Sequence, residues 1–362
     1  MSRNTLISID EKRRRGRGAI GNSSGRFERI SRIDQHDDWD IPEERAPFKT
    51  EISYEQARTL ISYNRSPDLP FDRSINPYRG CEHGCIYCFA RPSHAFLGLS
   101  AGLDFETKLI AKPNAAEVLE RDLRAKRYDV QPIAIGTNTD PYQPIEKNSE
   151  IMRSCLKVLA AFKHPVAIVT KGTLIERDID ILAPMAKAGL VRVGISMTSL
   201  DHKFARKLEP RVPSPARKLQ TIARLSRAGI PVRVMVSPII PGLTDAECEQ
   251  ILKAAKTAGA RTASWIMLRL PREVSPLFQE WLSEHYPDRA KRVMSHLRAM
   301  HGGKEYDTKW HQRMRGTGAY AEMISQRFDL ACQRLELAKT APKLRTDLFE
   351  CPPKSGDQLA MF

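Results

Sequence analysis

The residues best equipped for chemistry stand together in one short stretch, Tyr78-Arg79-Gly80-Cys81-Glu82-His83-Gly84-Cys85-Ile86-Tyr87-Cys88-Phe89. Cys81, Cys85 and Cys88 are close enough in the chain for a single loop to bring three thiolates to one centre. Thiolates are soft ligands and suit zinc or an iron–sulfur cluster. On a cube of four irons, three thiolates leave one iron open to an outside ligand. Gly80 and Gly84 would let such a loop turn tightly. A zinc site made of Cys81, Cys85, Cys88 and His83 is the competing reading. Zinc more often draws on two separated ligand pairs, and no second pair follows here. The chain has seven cysteines. An odd number in a chain of this length is not the even set of a small secreted disulfide scaffold. Cys155 and Cys248 fall within helical patterns, where a cysteine acts as a small hydrophobe; Cys332 and Cys351 share no ligand spacing with them.

A loop of this kind needs elements to hold it. Short apolar runs recur after it: Ile133–Gly136, Pro165–Thr170, Val191–Ser196, Val232–Ser237 and Thr262–Leu268. Between them lie amphipathic stretches that predict helices over Ala115–Lys126 (with Asn114 as N-cap), Ser149–Phe162, Arg177–Lys187, Ser214–Ala228 and Thr244–Ala258. Gly189, Gly229 and Gly259 mark three of the helix stops. Strands of about five residues alternating with helices of about a dozen read as βα units on a parallel sheet. The alternation starts near Ile75 and fades after Leu270. That gives about six units, fewer than a closed TIM barrel needs. The fold class predicted is α/β, a partial (β/α)6 barrel. Ligands of such folds sit at the carboxyl ends of the strands. Here those ends read Gly136-Thr137-Asn138-Thr139-Asp140, Thr170-Lys171-Gly172, Ser196-Met197-Thr198-Ser199 and Ser237-Pro238. They are rich in hydroxyls and amides, as a polar cofactor pocket requires.

The spacing CxxxCxxC with an aromatic residue, Tyr87, before the third cysteine resembles the signature of the radical S-adenosylmethionine (SAM) superfamily. The surroundings, Ile75-Asn76-Pro77-Tyr78-Arg79-Gly80 and Thr139-Asp140-Pro141-Tyr142-Gln143-Pro144, resemble the branch that contains spore photoproduct lyase. The resemblance implies a [4Fe–4S] cluster on Cys81, Cys85 and Cys88, with SAM chelating the fourth iron. It implies reductive cleavage of SAM to a 5′-deoxyadenosyl radical that takes hydrogen from a substrate, and an electron donor such as flavodoxin or ferredoxin. Tyr87 would cover the cluster and approach the adenine. Lys171 would meet the SAM carboxylate, and Ser196 would lie near the ribose or carboxylate. Thr137, Asn138, Thr139 and Asp140 would cradle the methionyl amine. Each of these could equally cap a helix or a turn. One departure is plain. The lyase uses a cysteine hydrogen donor near the end of the strand matching Ile133–Gly136, whereas this chain has Thr137 and Asn138. Thymine-dimer reversal by that route is therefore not implied. Tyr142 is a candidate for relaying a hydrogen atom.

The chain of 362 residues carries a formal charge of +15. Such a balance suits polyanions, or simply a solvated basic surface. Residues 1–53 read as a largely disordered arm, with the run Lys12-Arg13-Arg14-Arg15-Gly16-Arg17 as a candidate phosphate contact. Residues 54–275 form the core domain, 276–341 a basic helical extension, and 342–362 a flexible tail. The tail ends Gln358-Leu359-Ala360-Met361-Phe362, similar to the short motif by which bacterial replication and repair proteins dock on the sliding clamp. Gln358, Leu359, Met361 and Phe362 would make that contact. No apolar run is long enough for a membrane span, and the N-terminus lacks a secretory h-region. The expectation is a cytoplasmic, oxygen-sensitive enzyme acting on nucleic acid, with damaged DNA as one such substrate. A protein, an RNA or a small molecule is the alternative substrate, and a zinc-bearing, non-catalytic nucleic-acid-binding protein is the alternative function.

Overall fold

The structure, a computed structural model, describes residues 9–28 and 46–353. Its strands run in order as β1 (Glu51–Tyr54), β2 (Ile61–Tyr63), β3 (Arg73–Ile75), β4 (Tyr78–Arg79), β5 (Lys108–Ala111), β6 (Ile133–Ile135), β7 (Val166–Thr170), β8 (Val191–Met197), β9 (Val232–Ile239) and β10 (Thr262–Met267). Seven of them form one sheet in the order β10-β9-β8-β7-β6-β3-β2. From β3 to β10 every neighbouring pair is parallel, and β2 joins β3 antiparallel as an edge hairpin. This is the predicted partial barrel of βα units. A smaller sheet, β1-β5-β4, carries the cysteine loop.

Alternation along the strands sets the two faces. In β7, Val166, Ile168 and Thr170 are buried while Ala167 and Val169 are half-buried; in β9, Val232, Val234 and Val236 alternate with Arg233, Met235 and Ser237. Successive side chains on a strand point to opposite faces, so one set packs under the helices and the other lines the lumen. The covering helices span Ala115–Leu123, Ile151–Ala161, Ile179–Lys187, Pro215–Arg227 and Cys248–Thr257. Each lies within the predicted stretch or trims it by a few residues. Ser214 caps its helix by accepting the amide of Arg217 at 3.3 Å. Asn114 does not cap. Its carboxamide instead exchanges two hydrogen bonds with the backbone of Ala57, at 2.9 and 3.0 Å, and ties the chain before β2 to the barrel. The C-terminal extension folds as helices Val274–His285, Pro287–Met300 and Ala319–Arg334.

Two expectations of disorder are corrected. The segment Arg17–Asn22 is packed into the molecule, with Ala19 fully buried. The amides of Gly18 and Ala19 donate to the Glu106 carboxylate at 2.8 and 2.9 Å, and Arg91 meets the same carboxylate from the other side. A glycine is needed at residue 18 because a Cβ there would lie 1.9 Å from the Gly84 carbonyl oxygen. At the other terminus, residues 345–350 return to the body. Phe349 packs against Tyr128, Phe162 and His164, and the Arg345 amide donates to Gly189 at 3.1 Å. Gln358, Leu359, Met361 and Phe362 lie outside the described residues.

The sheet does not close on itself. Its free edges, β2 and β10, are joined through the segment that carries Arg313 and Met314. Asp68, in the loop of the β2–β3 hairpin, takes both arms of Arg313 at 2.6 and 2.7 Å, and Met314 accepts the Met267 amide at the end of β10 at 2.9 Å.

Candidate active site

The cysteine loop leaves β4 and is bound on all sides by backbone contacts. The amide of Cys81 donates to Phe105, that of Ile86 to Leu208, and that of Arg211 to His83. Gly84 takes a φ of 67°, open to glycine at little cost, and its missing Cβ leaves room for the Glu106 carboxylate. Cys81 and Cys85 are buried and Cys88 is half-buried; none is in a disulfide. Burial pushes the Cys85 thiol well above its ordinary range, with Glu209 adding to the rise and Lys171 opposing it. Burial likewise raises Cys88, helped by Cys81. A metal that binds here must therefore displace protons. Three thiols from one enclosed loop fit an iron–sulfur cube with one open iron. His83, the fourth ligand of the zinc alternative, stands between Cys81 and Asp140, with its Nδ1 3.3 Å from Asp140 Oδ2. Among the described residues no three His, Cys, Asp or Glu side chains converge as one ion would require.

The strand ends beside the loop form a second layer. The Lys171 ammonium, just past β7, donates to Ser196 Oγ at 2.8 Å and lies 3.1 Å from Glu209 Oε1. Ser196 donates to the Ser237 carbonyl at 3.0 Å, so the ends of β7, β8 and β9 are linked through two side chains. Glu209 is 2% exposed. It accepts from Tyr87 and Thr198 and faces a second ammonium, Lys218, at 3.3 Å. Burial works against its charge, but Lys171 and Lys218 outweigh burial and hold it far below the usual carboxylate range. Burial also opposes the Lys171 charge, and Glu209 with Cys85 more than offsets it, so Lys171 stays protonated. Tyr87 has its hydroxyl on Glu209, and its ring lies 5.5 Å from the Lys171 ammonium. Tyr87, Lys171 and Ser196 are thus brought together beside the cysteines, as expected. Glu209, Thr198 and Lys218 complete the cluster and carry no motif in the sequence.

The segment after β6 divides. Thr137 reaches the lumen. Asn138 is half-buried and its amide donates to the Asn76 side chain at 3.1 Å. Thr139 donates to the Gly80 carbonyl at 2.7 Å, and Gln143 spans the same carbonyl and the Glu82 amide. Asp140 accepts from the amides of Tyr142 and Lys171 and from Thr170, besides facing His83. Thr139 and Asp140 therefore clamp the loop to the barrel; their oxygens are already in use. Tyr142 is 2% exposed, and burial and then Asp178 push its phenol well above the ordinary range. Asp178 belongs to the helix layer, where Arg153 and Arg177 hold it. The phenol therefore lies beside the helix layer, and Tyr142 is not among the residues that line the lumen.

Comparison with known proteins agrees with this geometry. Residues 75–255 match the model of the radical SAM superfamily. An uncharacterized protein of Mycobacterium tuberculosis (strain H37Rv) is 36% identical over 253 residues, 68% of this chain and 74% of its own. One of Methanocaldococcus jannaschii is 26% identical over 242 residues, 66% of this chain and 85% of its own. Among solved structures, spore photoproduct lyase complexed with dinucleoside spore photoproduct superposes with a TM-score of 0.57 over 78% of this chain and 79% of that one, at 13% identity. At that identity the likeness speaks for the fold. No helix among the described residues is long and apolar enough to cross a membrane. The family match covers the cysteine loop and every strand from β4 to β9, and the chain belongs to the radical SAM superfamily, enzymes whose cofactors are a [4Fe–4S] cluster and SAM.

Proposed function

We propose that Cys81, Cys85 and Cys88 hold the cluster and that the Lys171–Ser196 layer, with Tyr87 and Thr137, receives SAM. The observation that carries this reading is the contact of two layers: Tyr87 of the cysteine loop donates to Glu209, and its ring lies beside the Lys171 ammonium that meets Ser196 at the strand ends. When bound, the cofactors supply one-electron cleavage of SAM to a 5′-deoxyadenosyl radical. The protein supplies position and exclusion of water. Glu209 acts through Lys171, fixing the ammonium where a carboxylate can take over one of its hydrogen bonds. Asp140 and Thr139 hold the loop. Asn138, whose amide donates to Asn76, would be the remaining polar group for the methionyl end. Reduction comes from a donor of the flavodoxin or ferredoxin type.

For the substrate we favour nucleic acid. The charge of +15 supports it, and so does the likeness of fold to a lyase crystallised with a dinucleoside photoproduct. A terminal sliding-clamp contact through Gln358, Leu359, Met361 and Phe362 would serve the same role. The test is anaerobic purification, iron and sulfide analysis, and assay of 5′-deoxyadenosine after reduction with SAM present. The wild type should carry iron and sulfide in equal amounts and release 5′-deoxyadenosine. Alanine at Cys81, Cys85 or Cys88 should abolish both properties, while Cys155→Ala should keep them. A variant lacking all three cysteines that still held a full cluster would defeat the assignment.

A further inference from the structure

Below the strand-end layer the lumen is not filled. A cavity of about 400 Å³ runs along the inner faces of β6 to β10. It exists because the inward positions there are small: Ala134, Ala167 and Gly194 leave space that larger residues would occupy. A Cβ on Gly194 would already press on the Met235 sulfur at 2.9 Å. That volume falls within the usual range of small-molecule sites, roughly 300–1,000 Å³.

Two of the inward residues are arginines. Arg192 on β8 and Arg233 on β9 are both half-buried, line the cavity and stand on adjacent parallel strands. Among the described residues neither has an acidic partner. Arg233 makes one long contact to Thr262 at 3.4 Å. Burial lowers the pKa of both, and the charge of Arg192 adds to the lowering at Arg233. Asp68 also lines the cavity, but Arg313 occupies it in bidentate fashion. The Ser264 hydroxyl, facing the same space, is buried without a hydrogen-bond partner. Buried charges in folded proteins are normally paired, and an unpaired buried polar group is costly. Arg315 also lines the cavity, its guanidinium lying over the Trp265 ring. Two strand arginines without an acidic partner and an idle hydroxyl around one cavity form a site that lacks its anion.

We infer that this lower lumen is an anion subsite, in which Arg192 and Arg233 hold the phosphate of an organic phosphate of about nucleotide size, with Ser264 completing the contacts. The ligand would be a free nucleotide or one nucleotide unit turned in from a single strand; both present the same phosphate ester. Arginine suits this task, since its planar fork matches phosphate oxygens in pairs. Arg192 stands four residues below Ser196, and Arg233 four below Ser237, roughly 13 Å along the strands. A ligand anchored by its phosphate would therefore extend towards the Lys171–Ser196 layer. In giving the substrate a class, this inference rests on that layer being the reaction site.

The experiment uses the full chain with its cluster, prepared anaerobically. Calorimetry would follow binding of inorganic phosphate, a set of 5′-mononucleotides, the matching nucleosides, and a short single-stranded oligonucleotide. Phosphate and mononucleotides should bind and nucleosides should bind at least tenfold more weakly. Arg192→Gln and Arg233→Gln should each reduce mononucleotide affinity by about tenfold to a hundredfold, the range of one charge-assisted contact. Both variants should unfold at the same temperature as the wild type or higher, because each relieves a half-buried cation without an acidic partner; this separates lost binding from lost folding. Tighter binding of the oligonucleotide than of mononucleotides would assign the strand as the source, and the reverse would assign the free nucleotide. Equal binding of nucleosides and nucleotides, or unchanged affinity in both variants, would overturn the subsite. Iron content and SAM binding are read on the same samples. If those fail while phosphate binding persists, the fault lies with the upper layer and not with the subsite.

Discussion

Glu209 accounts for most of the electrostatics of the upper layer. It is one carboxylate between two ammonium groups, in a place with almost no water. Removing one partner of a buried pair leaves the others uncompensated, at about 3–5 kcal/mol. Glu209→Gln keeps the shape and removes the charge, so urea unfolding should show a loss of about 3 kcal/mol. SAM affinity should fall as well, because Lys171 loses its anchor. Lys171→Met should lower SAM affinity by about one to two decades without loss of iron. Full SAM affinity in that variant would return Lys171 to a structural role. The pH dependence has a definite sign. Glu209 is held far below its ordinary value, so its contribution is complete above roughly pH 4.3 and disappears only as pH falls through the depressed value. Sequence reading reached Lys171 and Ser196 because each ends a strand. It did not reach Glu209, which follows the short helix His202–Leu208 and meets Lys171 only through the fold. Asp140 was legible as important but not in its role. Its oxygens serve the turn and strand end beside it, which a sequence cannot tell from a ligand contact.

Among the elements, the barrel was legible and the arm was not. β7, β8 and β9 announce themselves by apolar runs set between amphipathic stretches, and their helices end where the glycines predict, two residues before Gly189, Gly229 and Gly259. The segment Arg17–Asn22 has no such pattern. Its order comes from backbone amides laid flat on Glu106, which the small side chains of Gly18 and Ala19 permit. The basic run before it is also partly spent inside the molecule. Arg14 pairs with Glu284 at 2.6 Å, Arg13 lies over Phe48, and Arg17 reaches the Glu106 and Phe48 carbonyls. Deleting residues 1–25 should therefore act on the cysteine loop. Two hydrogen bonds to a buried carboxylate would be lost, at about 1.5 kcal/mol or more each. The urea midpoint should fall, and a chelator should strip iron faster than from the full chain. An unchanged rate of iron loss would show that the arm is not part of the loop's enclosure.

For the whole molecule, the charge of +15 makes a prediction that no single residue makes. Single-stranded nucleic acid should bind with an affinity that falls steeply as salt rises, since contacts to phosphates release counterions, at about 0.7 in log–log slope per phosphate neutralised. Because Arg13, Arg14 and Arg17 are engaged internally, removing the arm should change that slope by less than its five basic side chains between Lys12 and Arg17 suggest. Retention on a nucleic-acid column that ignored salt would remove the polyanion reading. The lumen lay beyond the reach of composition. Arg192 and Arg233 look like the outward residues of two-faced strands, and only the curl of the sheet into a partial barrel turns them inward.

The open side has a consequence of its own. Six parallel strands are stitched by main-chain hydrogen bonds, but the gap between β2 and β10 is bridged by the Asp68–Arg313 ion pair, the His311 amide on the same carboxylate, and the Met267–Met314 main-chain bond. Main-chain ladders resist separation cooperatively, whereas this short join depends on one ion pair. The barrel therefore has one side wall that works as a clasp, and the clasp sits on the rim of the cavity that it closes. Arg313 holds the Asp68 carboxyl below its usual range, so the clasp is fastened at neutral pH and loosens only as acid protonates Asp68. Salt, like acid, should therefore weaken that one wall while the ladders from β3 to β10 hold.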